Sequence, residues 1–415
     1  MGIEMKNPNP WWVAVINGMA SYIDSCTIIT SGVALVIYQN TFGLTDIQFG
    51  ALSAALTFCI AIGSLTGGAL GDRFGRKPVF SVTMVMLVLG ALLMVFSSNF
   101  VLLLVGEIFM GLGVGADLPV SLATISEQAP DDKRGKMLLF SDILWVVGIV
   151  VAQGIGSLVG NWGLLGGQIM FGQLAAVSAI VLILRQTIPE SPVWLKTNED
   201  RKHGIVTKKD TGKIGDLFKT PYAVPFIALI IFYIGTNVPA NSLGQFSTWI
   251  GTNVVTLDVA TVSLIGMIVY PIRAILDFVF MHFVDTKARM PLFYMGAILY
   301  LAGFMMFPLF GASTVTYVLT QLLYCIGAAF AFEGILKVWM QECFPTLLRT
   351  TANGAIVFAS RFSCAVIGFF TAAFITAFGY KIAFLTLSAM TLIGFIAAVL
   401  CFKGKRYNTF ERDAE

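Results

Sequence analysis

Ionisable side chains inside long apolar stretches are the residues of this chain best suited to chemistry. The first half of the sequence places four carboxyl groups in such stretches, on Asp24, Glu107, Asp117 and Asp142. A charge in the hydrocarbon region is costly, so each of these residues is a functional candidate. No Lys or Arg is expected deep in the same half, and four acids without a base cannot all stay ionised. We therefore expect at least one of them to hold a proton at neutral pH, as a proton carrier must.

The second half distributes its charges differently. Arg273 and Asp277 are spaced i,i+4, as are Glu333 and Lys337, so each pair shares a helix face and is predicted to neutralise itself. Arg361 has no such neighbour. It is the candidate to meet a substrate anion or an acid of the other half.

The remaining reactive residue types do not form a catalytic or metal-binding pattern. The two histidines, His203 and His282, have no matching Cys or Asp spacing, and the six cysteines contain no CxxC. The cysteines fall in or at the ends of apolar runs, which is typical of small reduced core residues. We expect no enzyme activity, no metal and no cofactor. The expected driving force for the activity of the protein is a proton gradient.

Membrane-spanning helices must position these side chains. The chain is 57% hydrophobic and 12% charged, with a mean hydropathy of +0.84, which leaves too little polar material for a soluble protein of 415 residues. Twelve apolar runs are long enough to cross about 30 Å of hydrocarbon. They lie near 11–38, 47–70, 78–97, 100–126, 137–158, 164–188, 222–250, 259–284, 291–311, 314–341, 350–377 and 381–402.

Basic residues predict the orientation of these spans. Of the 26 Lys and Arg, three are assigned to spans and only Lys381 falls on the second side, which leaves 22 at the termini and the connections of the first side. Both termini are therefore predicted to be cytoplasmic, in a plasma membrane or bacterial inner membrane. The first apolar run is too long for a cleavable signal and carries Asp24. Because the positive charges are dispersed over short loops, we expect no nucleic-acid partner.

An internal repeat divides the chain into two halves. "GDRFGRKPVF" at 71–80 matches "VDTKARMPLF" at 284–293, and "EQAPDDKR" at 127–134 matches "ECFPTLLR" at 342–349, with offsets of 213 and 215 residues. Two agreeing offsets near half the chain length indicate a duplicated six-helix unit. We predict an all-α membrane protein of twelve helices in two six-helix bundles, 1–188 and 222–415, joined by a cytoplasmic connection at 189–221.

The repeated charged turns are predicted to form a cytoplasmic gate. Their basic residues can meet acidic groups or helix carboxyl ends in one conformation and release them in another. An ordinary positive-inside anchor is the alternative, but the repetition in both halves favours the gate. The predicted gate residues are Asp72, Arg73, Arg76, Glu127 and Arg134 in the first half, and Asp285, Arg289, Glu342 and Arg349 in the second.

These motifs carry a resemblance to a known family. "GDRFGRKP" between spans 2 and 3, E-x-x-P-x-x-x-R after spans 4 and 10, and "PESPVWL" at 189–195 resemble the major facilitator superfamily. The "PESP" segment is similar to its sugar porter branch and related metabolite:proton symporters. The resemblance covers essentially the whole chain. It implies an inverted-repeat fold in which two bundles rock around a central substrate site.

The resemblance also suggests where a proton would bind. Asp24 lies in "YIDSCTIITSG", which is similar to the first span of sugar porters, where the Asp couples to protons and pairs with an Arg of span 4. Here Glu107 stands at the position of that Arg, a departure from the family's pattern that is compatible with proton coupling but does not support the usual release mechanism. Asp24 and Glu107 are the predicted proton-coupling residues and are expected to share a proton if they are close. The alternative for each is a carboxylate satisfied by neighbouring hydroxyls.

Substrate contacts are predicted in both halves. Asp142 aligns with a Gln that binds sugar hydroxyls in the family, Asn237 keeps a Gly-x-Asn spacing, and Lys337 replaces a Trp that stacks on the sugar. Asp117 precedes Pro119, so it either lines the cavity or satisfies the backbone groups that the proline frees. The predicted substrate-binding residues are Asp142, Asp117, Asn237, Asn241, Gln245, Lys337 and Arg361.

Together these features predict proton-coupled uptake of a small polar metabolite, either a sugar acid, a sugar or a polyol, by a monomer in the lipid bilayer. Two alternatives remain open. One is a carrier for an amine-bearing or other organic solute, which would face Asp142 and Glu107. The other is a transporter-like receptor that binds its ligand without carrying it.

Overall fold

The structure is a computed structural model of the 415-residue chain. It describes residues 9–130, 134–191, 195, 199, 217–219, 221–284, 286–344 and 346–403.

The described part of the chain is α-helical and contains no strand. Its helices are α1 Pro10–Phe42, α2 Asp46–Phe74, α3 Arg76–Val95, α4 Phe100–Gln128, α5 Arg134–Val159, α6 Leu164–Arg185, α7 Ala223–Asn253, α8 Val259–Phe283, α9 Arg289–Phe310, α10 Thr314–Ala331, α11 Glu333–Glu342, α12 Thr346–Phe378 and α13 Tyr380–Phe402.

These helices match the twelve predicted spans. Eleven segments of the described residues are long and apolar enough to cross a membrane, and α5 adds the shorter apolar segment Ile143–Val159. The predicted all-α membrane fold is confirmed. Span 10 needs a correction, because it is broken into α10 and α11 at Phe332, which has φ −129° and ψ −116°. The sequence has no proline or glycine at the break itself to mark it.

Local sequence signals account for several helix ends. The side chain of Asn9 accepts a hydrogen bond from the backbone N–H of Trp11, with Pro10 as the first helical residue of α1. Asn99 caps α4 and Asp258 caps α8 in the same way. Gly75, between α2 and α3, has φ 98°, a conformation that residues with a Cβ rarely adopt. The turn within "GDRFGRKP" therefore depends on this glycine.

The helices group into two compact units. Unit 1 comprises Met1–Leu44 and Ala55–Thr207, and unit 2 comprises Thr45–Ala54 and Lys208–Glu415. Within unit 1, α1 packs against α4, α5 and α6, and α3 packs against α4 and α6. Within unit 2, α7 packs against α8, α12 and α13, and α9 packs against α10 and α13. Most residues of the central helices α1 and α7 are buried by this packing.

Thr45 and the first turns of α2, residues 46–54, belong to unit 2. A Cβ on Gly50 would lie 2.1 Å from the carbonyl oxygen of Phe369, so only glycine allows this approach of α2 to α12. The hydroxyl of Thr376 donates to Asp46 Oδ2 at 2.6 Å. Helix α2 therefore begins in unit 2 and continues in unit 1.

Aromatic side chains fill much of the core of unit 2. The ring of Trp339 lies edge-on to Phe293 and Phe232, with centroid distances of 5.2 and 5.5 Å. Phe293 also contacts Phe395 at 5.9 Å. On its other side Trp339 stacks on Phe402 at 4.5 Å. These contacts join α7, α9, α11 and α13 through large apolar surfaces in favourable ring geometries.

Candidate proton and substrate sites

Close packing of α1 against α5 positions Asp24. A Cβ on Gly148 would lie 2.2 Å from Ser25 Oγ, so the glycine lets the two helices approach. The Ser25 hydroxyl donates to the carbonyl of Trp145 at 2.6 Å. The indole N–H of Trp145 in turn donates to Asp24 Oδ2 at 3.1 Å, and Asp24 is 2% exposed. Sequence reasoning missed Trp145, although a Trp inside a predicted span could have suggested a hydrogen-bond donor.

Glu107 lies in a different environment on α4. It is 0% exposed, and the hydroxyl of Ser31 on α1 donates to its Oε1 at 2.6 Å. Its Oε2 is buried without a hydrogen-bond partner among the described residues. The thiol of Cys59 on α2 lies close enough to interact electrostatically with the Glu107 carboxyl group. No basic side chain of the described chain forms an ion pair with Glu107.

Asp117 is paired with a base, which corrects the expectation that the first half has none inside. Arg185, the last residue of α6, is 1% exposed and makes an ion pair with Asp117. Its Nη1 binds Oδ1, and its Nη2 binds Oδ2 at 2.9 Å and Ser121 Oγ at 3.0 Å. The prediction failed because Arg185 was counted with the connection that follows span 6, although it lies within the predicted bounds of that span, 164–188. Its side chain is nevertheless buried within the bundle.

The Asp117–Arg185 pair ties three helices together. The hydroxyl of Thr83 on α3 donates to Asp117 Oδ1 at 3.1 Å. The Arg185 guanidinium also lies 4.8 Å from the ring centroid of Phe80 on α3, a cation–π contact. Both carboxylate oxygens of Asp117 are thus bonded within unit 1, and the residue is 1% exposed. This arrangement favours a structural role for Asp117 over its predicted contact with substrate.

In unit 2, α7 and α12 bring the polar candidates together. The amide of Asn237 donates to Ser360 Oγ at 2.8 Å, and Arg361 follows Ser360 along α12. Arg361 and Asn241 are both partly exposed. Gln245 is instead buried and donates Nε2 to the backbone carbonyl of Ser53 at 3.0 Å. Lys337 lies exposed on α11.

Arg273 lies at the break between α10 and α11. Its Nε is 3.7 Å from Asp277 Oδ2, in the i,i+4 pair that the sequence predicts. Its Nη1 is 3.5 Å from the Tyr324 hydroxyl, and its guanidinium lies 5.7 Å from the ring centroid of Phe332. The cation therefore lies beside Phe332, the residue at which the helix of span 10 is interrupted.

The repeated charged turns form equivalent ion pairs in the two units. Arg76 Nη2 is 2.7 Å from Glu127 Oε1 in unit 1, and Arg289 Nη1 is 2.9 Å from Glu342 Oε1 in unit 2. These are the residues that the repeat alignment superposes, so the internal duplication extends to the contacts.

Glu190 of the "PESP" segment was not singled out from the sequence. Its carboxylate accepts hydrogen bonds from the backbone N–H groups of Arg76 at 2.9 Å and Lys77 at 3.1 Å. It thus places a negative charge at the N-terminus of α3, where unpaired N–H groups and the helix dipole favour it.

Several predicted site residues fall outside what the structure describes. These are Asp285 and the side chains of Asp72, Arg73, Arg134, Asp142 and Arg349. Their roles stay predictions.

The described chain has two compact helical units, helices of membrane-spanning length, and buried carboxyl groups on α1 and α4. These features are typical of a helical membrane transporter. Residues 11–368 match the model of the Major Facilitator Superfamily, and the chain belongs to this family. It is therefore a multi-pass membrane protein that carries small solutes by alternating access, and it is not an enzyme.

Similar proteins include transporters from bacteria and plants. The chain is 31% identical to the minor myo-inositol transporter IolF of Bacillus subtilis, over 87% of this chain and 83% of the relative. It is 26% identical to the sugar transporter ERD6-like 7 of Arabidopsis thaliana, over 96% of this chain and 93% of the relative. A crystal structure of a D-xylose-proton symporter shares the fold with a TM-score of 0.76 and 19% identity, over 93% of this chain and 96% of that one.

Proposed function

We propose that this protein is a proton-coupled symporter for a small polyhydroxylated metabolite, either a polyol, a sugar or a sugar acid. The observation that carries the substrate class is the 31% identity to a myo-inositol transporter over 87% of the chain. Because this similarity extends over both halves, it supports a related type of substrate for the whole transporter.

The carboxyl groups of unit 1 support the coupling. Asp24 on α1 and Glu107 on α4 are both buried in spans, where a permanent charge without a counterion is costly. Each is bonded to a neutral donor, the indole of Trp145 and the hydroxyl of Ser31 respectively. Gain and loss of a proton at such a site can follow its alternating exposure to the two sides of the membrane.

Unit 2 supplies groups suited to hydroxyls and to a carboxylate. Asn237 and Asn241 on α7 carry amides that both donate and accept hydrogen bonds, which suits a polyol. Arg361 on α12 and Lys337 on α11 are cations that can bind an acidic sugar. The proposed substrate-binding residues of unit 2 are thus Asn237, Asn241, Lys337 and Arg361, and Asp142 stays a prediction from the sequence.

The orientation and the gate complete the proposal. The bias of Lys and Arg toward one set of connections supports cytoplasmic termini, and the similarity to a bacterial transporter supports a bacterial inner membrane. Each of the two equivalent pairs, Arg76–Glu127 and Arg289–Glu342, joins connections that this orientation predicts to be cytoplasmic. We propose that these pairs stabilise the closed form of the cytoplasmic side.

Uptake into proteoliposomes tests this function. Purified protein is assayed with radiolabelled myo-inositol, D-xylose, D-gluconate and D-glucosamine, with the proton gradient acid outside, with no gradient, and with a protonophore. We expect at least one polyhydroxylated substrate to accumulate only with the gradient and to exchange without it. Accumulation of the amine alone would move the proposal to the alternative substrate class. Accumulation that the protonophore does not affect would rule out proton coupling.

A further inference from the structure

We propose that Glu107, and not Asp24, is the residue that carries the coupled proton, and that it is a neutral carboxylic acid in this conformation. The assignment deepens the proposed function and rests on it for the coupling step. The protonation state itself can be tested without any substrate.

Burial without a counterion is the first step toward this assignment. Glu107 is 0% exposed, and within the described residues its polar contact is a single hydrogen bond from Ser31 to Oε1. An ionised carboxylate accepts several hydrogen bonds, and a buried one without a cation is far more costly than a buried neutral acid. The neutral form is therefore favoured at this position.

The two oxygens of Glu107 indicate which one holds the proton. Oε1 accepts from the Ser31 hydroxyl at 2.6 Å and so behaves as the carbonyl oxygen. Oε2 is buried with no partner among the described residues. An unpaired O–H on Oε2 costs much less than an unpaired negative oxygen. The arrangement is that of a protonated acid with the hydrogen on Oε2.

The surroundings of Glu107 contain little else that could titrate or compensate a charge. Ser31 is its neighbour on α1 and Cys59 is its electrostatic neighbour on α2. Elsewhere on α4, Asp117 already has Arg185 and Glu127 already has Arg76. Among these three acids of α4, Glu107 alone lacks a cation.

Asp24 has better support for a negative charge. Its Oδ2 accepts from the Trp145 indole at 3.1 Å, and neither of its oxygens is left buried without a hydrogen-bond partner. We infer that Asp24 is the acid better able to stay ionised, and that it contributes to substrate binding and not to coupling. Transfer of the proton from Glu107 Oε2 to water on the release side leaves a carboxylate at Glu107 that water must solvate. The substrate-loaded protein therefore changes conformation with Glu107 neutral, and the empty protein returns with Glu107 deprotonated and takes up the next proton on the other side.

Infrared spectroscopy of the purified protein at neutral pH tests the protonation state. The carbonyl stretch of a protonated carboxyl group is separate from the carboxylate bands, so wild type minus Glu107→Gln should show one protonated carboxyl. Wild type minus Asp24→Asn, and wild type minus Glu127→Gln as the matched ion-paired control, should not. Ser31→Ala should move the Glu107 band to higher frequency, because the carbonyl oxygen loses its donor. Absence of the band from the first difference, or its presence in the second, would overturn the assignment.

Transport separates this assignment from the proposed function. With a substrate found in the uptake assay, Glu107→Gln should lose all accumulation driven by the proton gradient and keep exchange. Asp24→Asn should keep its response to the gradient and need a higher substrate concentration. The reverse pattern would assign the proton to Asp24. If Glu107→Gln does not fold, Glu107→Asp keeps an acid whose band should shift in frequency, and an unshifted band would contradict the proposal. If no substrate accumulates, the proposed function fails while the infrared result still decides the protonation state.

Discussion

Two buried acids on one helix, Glu107 and Asp117 of α4, differ almost entirely in their partners. They are 0% and 1% exposed respectively. Asp117 binds the guanidinium of Arg185 through both oxygens, with additional hydroxyl donors, whereas Glu107 has the hydroxyl of Ser31 and an oxygen without a partner. Burial alone therefore does not identify a proton carrier. Whether a cation reaches the carboxylate separates a structural acid from one that can titrate.

The largest expected effect on stability comes from removing one charge of the Asp117–Arg185 pair. Asp117→Asn leaves the Arg185 cation buried without its counterion, so it should lower the free energy of unfolding by about 3–5 kcal/mol. Arg185→Met should have a similar effect, because it leaves the carboxylate uncompensated. Thermal unfolding of the purified protein in detergent measures both.

The double variant Asp117→Leu/Arg185→Met is the control for that prediction. It removes both charges and replaces them with apolar groups, so most of the lost stability should return. A loss equal to the sum of the two single losses would mean that the pair acts through packing and not through charge.

The sequence predicted most of the architecture but not this pair. Hydropathy and basic-residue counts predict twelve spans because length and charge are properties of each span alone. Pairing is a property of two helices, and Arg185 is 68 residues away from Asp117 in the sequence. The repeat alignment identified Arg76 and Glu127, and Arg289 and Glu342, as corresponding residues of the two halves, but it did not predict that they form ion pairs.

The candidate site was less predictable for the same reason. Asp24 and Glu107 were identified because any carboxyl group in an apolar run is unusual. Their donors, Trp145 and Ser31, come from helices that approach one another only in the fold. The break at Phe332 also escaped prediction, because no proline or glycine stands at that position and α10 and α11 together read as one apolar run.

The next largest effect is expected at Arg361, where the carboxylate would belong to the substrate and not to the protein. If the substrate is a sugar acid, Arg361→Gln should weaken binding by about 2–5 kcal/mol, the range for breaking a desolvated charged pair. Arg361→Lys should recover only part of this, since the two-pronged geometry of the guanidinium is lost. Exchange assays with gluconate and myo-inositol measure the affinities. Unchanged gluconate binding in well-folded Arg361→Gln would refute an anion site at this residue.

A smaller effect is expected at the repeated charged turns. The side chains of Arg76 and Glu127 are 9% and 17% exposed, and those of Arg289 and Glu342 are 20% and 19% exposed. Arg76→Ala should therefore lower the free energy of unfolding by about 1.5–3 kcal/mol, as for the loss of a hydrogen bond to a charged group. Arg289→Ala should cost about 1 kcal/mol or less, because water screens this pair better. Thermal unfolding of the two variants gives the ranking.

The gate proposal adds a second readout to these variants. If the pairs stabilise cytoplasmic closure, both variants should increase the labelling of a Cys introduced into the cytoplasmic side of the transport pathway. Equal labelling of wild type and both variants would leave the turns as positive-inside anchors.

The smallest expected effect on stability is at Glu107, the acid without a cation, and it tests the difference between Glu107 and Asp117 most directly. Glutamine has the size of a neutral carboxylic acid, and its amide oxygen can accept the hydrogen bond from Ser31. Glu107→Gln should therefore change the free energy of unfolding by less than about 1 kcal/mol, the scale of one neutral hydrogen bond. Asp117→Asn, the corresponding change elsewhere on the same helix, is the matched comparison. Both are measured by thermal unfolding at neutral pH. A loss at Glu107→Gln as large as that at Asp117→Asn would mean that Glu107 is ionised and held by a cation, and the distinction between the two acids would then fail.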